Sequence, residues 1–399
     1  MGNKHESWEL AQYQSLSLES KIRMTQQRIR AWYDHWNGQV YVSFSGGKDS
    51  TVLKHIVDGM YSDVPALFVN TGLEYPEIQQ FVREVKSGKY DCFNSDVEIV
   101  RPEMRFDEVV KKYGFPVVSK EVSQTVYEAK DNVNTGKYSY RLKKLNGEAV
   151  DKNGNLSTYN IPQWKYLLEA PFGISHKCCD VMKKKPAKQF EKRTKRKPFI
   201  GTMASESRLR KTDWLRYGCN AFEKKGRKTS HPLSFWTVQD IYHYIKKFNV
   251  PYCSAYGDIV IEQKVDGENV LEGQINLIDC LGCYLPADRL MTTGCDRTGC
   301  MFCMFGCHLE KEPNRFQKMK ETHPRQYEYC IGGGEYSEIR VFNFKGEEIK
   351  LKHCTQEQIG KWANANRDNI RFKIEYDKWQ PSKEGLGLGK VLDYIGVKY

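Results

Sequence analysis

A short run of glycine, serine and lysine stands between an apolar segment and a run with helical periodicity. The six residues are Ser45, Gly46, Gly47, Lys48, Asp49 and Ser50. Glycines let the main chain approach a phosphate closely, and their N–H groups, together with a helix N-terminus, attract anions. Lys48 adds a full positive charge, and Ser45 and Ser50 add hydroxyl donors. We therefore predict a phosphate-binding loop. It differs from the G-x-x-x-x-G-K-[ST] pattern, because the first glycine is missing and Asp49 follows the lysine.

The cysteines form a second group that could do chemistry. Their number, 13, is odd and they cluster, which argues against a disulfide framework and favours metal binding or redox chemistry. The adjacent pair Cys178 and Cys179, together with the C-x-x-C pair Cys300 and Cys303, can supply four thiolates to an iron–sulfur cluster or to a zinc ion. Cysteines that compete for this role are Cys280, Cys283, Cys295 and Cys307. Those expected to be buried or structural are Cys92, Cys219, Cys253 and Cys330.

Strand-like and helical segments alternate around the loop. Helical periodicity or a proline start predicts helices at 17–36, at 51–60, from Pro76, at 107–113 and at 238–248. Apolar runs predict strands at 40–44, 66–69, 97–100 and 199–201. This alternation predicts an α/β fold in which helices flank a parallel sheet. Ligands in such folds bind at the carboxyl ends of the strands, where the glycine loop lies.

The pattern also predicts the organisation of the rest of the chain. We expect an N-terminal helical segment at 1–38 and a nucleotide-binding α/β domain at 39–257, with an insertion at about 120–175. An insertion and a cysteine-rich segment follow at 258–310, and an α+β region occupies 311–399. Within that last region, 338–344 and 348–352 are predicted to form a hairpin.

The composition indicates which kind of partner the protein binds and in which cellular compartment we expect it. Among the 399 residues, 62 Lys and Arg exceed 50 Asp and Glu, so the net charge is +12 and an anionic partner is expected. The basic stretch at 183–197 fits tRNA or DNA phosphates, or alternatively a solvated helix on which Lys184 and Lys188 share a face. No segment approaches the roughly 18 apolar residues of a membrane span, and the first 14 residues contain no apolar signal core. We expect a cytoplasmic protein without membrane association.

The loop resembles the PP-loop of the ATP-pyrophosphatase superfamily, also called adenine nucleotide alpha hydrolases. Further motifs narrow the resemblance to the phosphoadenosine phosphosulfate (PAPS) reductase family. They are Asn-Thr-Gly-Leu-Glu-Tyr-Pro-Glu at 70–77, Cys-Cys-Asp at 178–180, the loop at 201–210, His-Pro-Leu-Ser-Phe-Trp-Thr at 231–237 and Thr-Gly-Cys-Met-Phe-Cys at 298–303. The resemblance covers residues from about 40 to 307, and the order and number of its motifs make it specific.

The resemblance implies roles for individual residues. It implies that Thr71, Gly72, Glu206 and Ser207 bind the nucleotide together with residues 45–50. Lys48, Asp49 and Arg210 take catalytic roles in this interpretation. It further implies a [4Fe–4S] cluster on Cys178, Cys179, Cys300 and Cys303, as in members that reduce adenosine phosphosulfate (APS), with zinc as the alternative.

Three departures from the family pattern decide the predicted function. The loop has the Ser-Gly-Gly-Lys-Asp-Ser form, which resembles enzymes that cleave ATP, and Met203 replaces the arginine of the 201–210 loop. The sequence also ends without the Glu-Cys-Gly-[LI]-His segment that carries the reductase nucleophile. We therefore predict ATP-dependent adenylation with Mg²⁺, followed by transfer of sulfur from a donor. One alternative is a PAPS or APS reductase that forms sulfite with a thioredoxin-like reductant. The other is a zinc-ribbon nucleic-acid-binding protein without catalysis.

Overall fold

The computed structural model describes residues 3–134, 139–262, 289–337, 339–343, 372–376 and 378–399. Contacts divide the chain into two compact units. The first unit comprises Met1–Asn70, Glu74–Arg101 and Pro186–Cys300. The second comprises Thr71–Leu73, Pro102–Lys185 and Met301–Tyr399.

Helices and strands are numbered along the described part of the chain. The helices are α1 (Ser7–Gln14), α2 (Leu18–His35), α3 (Lys48–Asp58), α4 (Pro76–Lys86), α5 (Phe106–Tyr113), α6 (Lys120–Asn134), α7 (Tyr140–Asn146), α8 (Lys185–Thr194), α9 (Arg208–Tyr217), α10 (Val238–Phe248), α11 (Arg315–Thr322), α12 (Pro324–Ile331) and α13 (Leu388–Tyr394). The strands are β1 (Val40–Ser43), β2 (Ala66–Val69), β3 (Val97–Val100), β4 (Val117–Val118), β5 (Lys197–Ile200), β6 (Ile259–Ile261), β7 (Leu290–Thr292), β8 (Met304–Phe305), β9 (Glu335–Tyr336), β10 (Ile339–Asn343), β11 (Phe372–Tyr376) and β12 (Trp379–Gln380). Short 3-10 turns and one π-helical turn lie at Pro162–Glu169, Asp180–Lys184, Ala204–Glu206, Ser254–Tyr256 and Cys307–Leu309.

A four-stranded parallel sheet forms the centre of the first unit. Its order is β3-β2-β1-β5, and Val42 lies opposite Ala66 on one side and Phe199 on the other. Side chains alternate across a strand, so Val40 and Val42 join one core while Tyr41 contributes to another. Apolar side chains of β1 are therefore buried on both faces, as a parallel sheet between helices requires. The predicted α/β fold is confirmed.

Local signals explain where the helices of this unit begin. Ser17 caps α2 by accepting a hydrogen bond from the Ser20 N–H, and Thr237 caps α10 together with Asp240. Helix α3 begins at Lys48, three residues before the predicted start at Thr51, because the Thr51 N–H already donates to the Gly47 carbonyl at 3.0 Å. The last three residues of the predicted phosphate loop are thus the first turn of a helix.

Smaller pieces of sheet accompany helices α5–α7 and α11–α13 in the second unit. Strands β4 and β8 pair in parallel, while β9 pairs with β12 and β10 with β11 in antiparallel fashion. The strand predicted at 338–344 is observed as β10, which pairs with β11 among the described residues, and its predicted pairing with 348–352 stays a prediction. The latter segment lies outside the described residues, and the predicted domain boundaries stay a prediction. Among the helices that the structure describes, none combines the length and the apolar character needed to cross a membrane.

Candidate functional site

The loop at 45–50 joins the carboxyl end of β1 to the first turn of α3, and hydroxyl groups fix its shape. The Ser50 hydroxyl accepts from the Ser45 N–H at 3.1 Å and donates to the Gly47 carbonyl at 2.9 Å. It also lies 2.9 Å from the Ser45 hydroxyl. Gly47 occupies the N-cap position of α3, and no side chain caps the helix there. Helix α3 therefore starts directly after the glycines without a side chain at its N-cap, as in an anion-binding helix start.

Two glycines allow neighbouring elements to approach this loop. Gly46 has φ +72°, and a Cβ there would come within 2.9 Å of methyl groups of Ile78 and Val82 on α4. Gly201 follows β5, and a Cβ there would lie 2.9 Å from the Asp49 carbonyl oxygen. Both glycines are therefore required by close approach, Gly46 also by its backbone conformation.

Lys48 is the central cation of the loop and is only 4% exposed. Its ammonium donates to the Asp296 carbonyl at 3.0 Å, and its main-chain N–H donates to the Tyr256 hydroxyl at 3.1 Å. The ammonium also lies 5.3 Å from the centre of the Tyr256 ring, within the range of a cation–π contact. Tyr256 in turn contacts the Thr298 hydroxyl at 2.6 Å. These contacts hold the lysine in a defined position inside the loop.

Asp49 presents a carboxylate that is incompletely satisfied. Its Oδ1 atom is buried and has no hydrogen-bond partner among the described residues, and it lies 3.7 Å from the Lys48 ammonium. Burial raises the pKa of this carboxyl, the Lys48 charge opposes that shift, and the nearby Glu206 carboxylate adds to it. A buried carboxylate oxygen without a donor is suited to a cation ligand.

The predicted residues after β5 approach the same part of the first unit. Glu206 accepts from the Met203 N–H at 2.8 Å and forms ion pairs with Arg210 and, at 3.1 Å, with Arg297. Ser207 caps α9 by accepting from the Arg210 N–H at 3.3 Å. A Cβ on Gly201 would lie 2.9 Å from the Asp49 carbonyl oxygen and 3.0 Å from the Ser50 Cα, so the structure brings the loop and the start of the 201–210 segment together.

Thr71 and Gly72 belong to the second unit. The Thr71 hydroxyl accepts from the Leu73 N–H at 3.2 Å, and Gly72 has φ +77°. Their predicted contact with the nucleotide stays a prediction.

Sequence reasoning missed four residues that contact the loop or its neighbours, and all of them lie far from it in sequence. They are Tyr256, Asp296, Arg297 and Thr298. Asp296 acts through its main-chain carbonyl, which no residue type reveals. The only available signal was the position of 296–298 directly before and within the Thr-Gly-Cys-Met-Phe-Cys motif.

Three of the four predicted metal ligands lie in the second unit. The thiol of buried Cys178 donates to Cys179, and this bond, helped by the charges of Lys183 and Lys120, lowers the pKa of Cys179 to about 6. Burial raises the pKa of Cys303, and a nearby Cys179 thiolate raises it further. The fourth ligand, Cys300, belongs to the first unit. No group of three or more His, Cys, Asp or Glu side chains in the described ranges is arranged to hold a metal ion, so the four-cysteine site stays a prediction.

Other cysteines have contacts of their own. The thiols of Cys295 and Cys307 donate to the carbonyls of Ala255 and Met304, both at 3.0 Å, and burial raises the pKa of each to about 11. The expectation of buried side chains is confirmed for Cys219 and Cys253, and Cys330, which was expected to be structural, is buried as well. It is wrong for Cys92, which is exposed because it lies in the loop between α4 and β3. Cys280 and Cys283 lie outside the described residues.

The basic stretch after the cysteine pair carries several acidic partners. Lys184 pairs with Asp180 at 2.8 Å across the π-helical turn. Glu98 and Glu103 likewise pair with Arg193 and Lys185. These pairs reduce the net charge of the stretch, and its contact with tRNA or DNA stays a prediction.

Comparisons with known proteins match segments of both units. The model of the phosphoadenosine phosphosulfate reductase domain matches residues 39–125 and 116–304. A similar solved structure is a phosphoadenylyl-sulfate (PAPS) reductase from Candida auris in a phosphate complex. It is 16% identical, the alignment covers 60% of this chain and 91% of that chain, and the TM-score is 0.33. No curated protein sequence matches the chain. Because the domain model spans more than half of the 399 residues, the chain belongs to the phosphoadenosine phosphosulfate reductase domain family.

Proposed function

We propose that the chain binds an adenine nucleotide at residues 45–50 and uses ATP to activate a substrate oxygen for replacement by sulfur. In the first step the substrate oxygen attacks the α-phosphorus of ATP, the α–β phosphoanhydride bond breaks, and pyrophosphate leaves. In the second step a sulfur nucleophile from a donor attacks the substrate atom that carries the adenylate. The bond from that atom to oxygen breaks, and AMP leaves with the oxygen.

The observation that carries this proposal is the environment of Lys48. A lysine that is 4% exposed at the start of α3, next to an uncapped helix N-terminus and two glycines, forms a concentrated positive site. Burial makes the interaction of this charge with a phosphate stronger than it would be in water. The most direct role for such a site is to hold the β- and γ-phosphates and to stabilise the charge that develops on departing pyrophosphate.

Asp49 supports the use of Mg²⁺. Its buried Oδ1 atom lacks a hydrogen-bond partner in the described part of the chain, and a carboxylate oxygen is the kind of ligand that this ion prefers. Mg²⁺, when bound, supplies charge neutralisation to the phosphates. The chain itself orients them: Lys48 supplies the charge, and the hydrogen bonds between Ser45 and Ser50 fix the shape of the glycine turn.

A PAPS or APS reductase is the second candidate, and the arginines favour it. Arg210 and Arg297 converge on Glu206 beside the loop, and guanidinium groups recognise sulfate and phosphate well. The match to the reductase domain model adds to this candidate. In that case a sulfonucleotide is reduced to sulfite and the nucleotide leaves unchanged at its α-phosphate, with electrons from a thioredoxin-like reductant.

We further propose that Cys178, Cys179, Cys300 and Cys303 hold a [4Fe–4S] cluster, with zinc as the alternative. Thiolates are the ligands of such a cluster, and the pKa of Cys179, about 6, favours the thiolate at neutral pH. Anaerobic purification tests this proposal. Stoichiometric iron and sulfide are expected, whereas one zinc ion per chain without iron would contradict the cluster.

Nucleotide choice tests the function. We expect the purified chain to bind ATP more tightly than PAPS and to release pyrophosphate only when acceptor and sulfur donor are present. Tighter binding of PAPS, with sulfite formed from PAPS and thioredoxin in the absence of ATP, would instead establish the reductase. A protein that binds neither nucleotide would contradict both.

A further inference from the structure

A segment that the sequence did not connect with the phosphate loop covers that loop in the first unit. We call residues 295–298 the strap. The Asp296 carbonyl accepts from the Lys48 ammonium at 3.0 Å, and a Cβ on Gly47 would lie 3.1 Å from the Thr298 hydroxyl oxygen. Thr298 also bonds to the Tyr256 hydroxyl, which accepts the Lys48 N–H. The strap therefore contacts the loop both at its cation and at its main chain.

The strap is held firmly at its start. The Gly294 N–H donates to the Tyr256 carbonyl at 2.8 Å, and the Cys295 N–H donates to the Ala255 carbonyl at 3.0 Å. Gly294 packs so closely that a Cβ would lie 2.5 Å from the Ala255 carbonyl oxygen. These bonds fix the direction in which the strap leaves β7, and with it the origin of the next side chains.

Arg297 is the charged side chain that this arrangement presents. Its side chain is 70% exposed, yet it reaches Glu206, whose side chain is only 13% exposed, at 3.1 Å. Glu206 already binds Arg210 and accepts the Met203 N–H. A second guanidinium on this carboxylate adds little stability, because Glu206 is already paired with Arg210 and water screens the exposed Arg297 charge. It does, however, place an exposed cation close to Asp49 and the loop.

We propose that Arg297 is an anion-binding residue of the nucleotide site, which moves from Glu206 to a phosphate or sulfate oxyanion of the bound nucleotide. This inference rests on the proposed nucleotide site. The buried Lys48, held by the strap, binds one part of the anion, while the exposed Arg297 reaches another part. Glu206 holds Arg297 close by when no nucleotide is bound.

Arg289 provides a matched control. It lies at the other end of strand β7, its side chain is 77% exposed, and it pairs with Glu262 at 2.8 Å. Arg297→Ala and Arg289→Ala therefore each remove one exposed arginine with one acidic partner from the same region of the chain. Only Arg297 neighbours the loop.

Calorimetric titration of each variant with ATP, PAPS and adenosine tests the inference. Loss of a charge-assisted hydrogen bond predicts affinity for ATP or PAPS at least about tenfold weaker in Arg297→Ala, with partial recovery in Arg297→Lys. Arg289→Ala should bind like the unaltered protein, and the affinity for adenosine should stay constant throughout. A loss with ATP assigns Arg297 to a phosphate, and a loss confined to PAPS assigns it to the sulfonucleotide, and either result supports the inference.

Equal nucleotide affinity in Arg297→Ala and Arg289→Ala would overturn it. Lys48→Ala, measured in parallel, separates this failure from a failure of the nucleotide site itself. If Lys48→Ala weakens binding and Arg297→Ala does not, only the role of Arg297 is wrong. If neither variant weakens binding, the proposed function fails as well.

Discussion

The phosphate loop and the cysteine pair concentrate reactive groups in opposite ways. The loop builds a positive site from six consecutive residues, and the first turn of α3 and the bonds of Ser45 and Ser50 determine its geometry. The cysteine pair favours a negative site, because the hydrogen bond from Cys178, helped by the charges of Lys183 and Lys120, lowers the pKa of Cys179 to about 6. Its neighbour Cys303 comes from a distant part of the sequence. A site made of consecutive residues can be recognised from a motif, whereas a site assembled from separate segments depends on the fold.

Replacement of Lys48 should have the largest effect. Lys48→Ala removes a buried cation from the phosphate site, and we expect turnover to fall by about 100-fold or more and ATP affinity by at least about tenfold. Metal content should stay unchanged if the two regions act separately. Steady-state pyrophosphate release and metal analysis check both parts. The exposed Lys89, which pairs with Glu84, gives the control variant Lys89→Ala, and no effect of Lys48→Ala on either nucleotide would refute the loop as the site.

The reciprocal experiment changes the cysteines. Cys179→Ser should lose most of the bound metal while ATP affinity persists, because the alcohol is a much poorer ligand than a thiolate. Cys307→Ser is the matched control: its thiol donates to the Met304 carbonyl, and burial raises its pKa to about 11. Iron and zinc analysis of the anaerobically purified proteins gives the result. Equal metal loss in both variants would show that the four-cysteine assignment is wrong.

The same contrast explains what the sequence could reveal. Strands β2 and β3 are observed with their predicted bounds. Strand β2 is a short apolar run between turn residues, which is typical of a buried parallel strand. The start of α3 was placed too late, since the polar residues Lys48, Asp49 and Ser50 carry no apolar periodicity although they are helical. The position of Glu206 and Arg210 beside the loop could be predicted only from the family motif, because their charge alone does not place them there.

Other contacts could not be predicted from the sequence for physical reasons. Tyr256 and the Asp296 carbonyl contact Lys48 through a hydroxyl and a main-chain atom that belong to no recognisable motif. Exposure of Cys92 depends on the path of a loop, and the strand opposite β10 comes from 372–376. Pairing of distant segments is decided by the packing of the whole unit rather than by local preference.

Backbone strain offers a sharper test of the loop. In Gly46→Ala a residue with a Cβ must adopt a left-handed backbone conformation, and its methyl group meets Ile78 and Val82. We therefore expect a loss of about 2–3 kcal/mol of stability. Gly88→Ala has a similar φ of +76° but meets no atom within 4 Å, so it should cost only about 1 kcal/mol. Urea unfolding of both variants measures the difference. Equal losses would mean that α4 does not pack tightly against the loop.

Acid should destabilise the first unit through His231. Its ring nitrogens lie 2.8 Å from the Thr202 hydroxyl and 3.1 Å from the Thr229 hydroxyl, and burial lowers the pKa of this histidine to about 4. In the unfolded chain this histidine has its ordinary pKa of about 6.5, so between about pH 6.5 and about pH 4 the unfolded chain binds a proton that the folded chain does not bind. The neutral ring therefore contributes stability above pH 6.5, and this contribution falls as the pH drops from about 6.5 to about 4, by up to about 1.4 kcal/mol per pH unit.

The variant His231→Gln keeps a polar side chain but cannot titrate. Its unfolding free energy, measured in urea at several pH values across this window, should depend on pH less steeply than that of the unaltered protein. The difference in slope should correspond to the uptake of up to one proton on unfolding. Near pH 7.5 the variant should be the less stable of the two, because one hydroxyl loses its ring partner. Parallel pH curves for the two proteins would mean that His231 accepts its proton in the folded state as readily as in the unfolded one. Any loss of stability in acid would then come from other groups, such as the carboxylates.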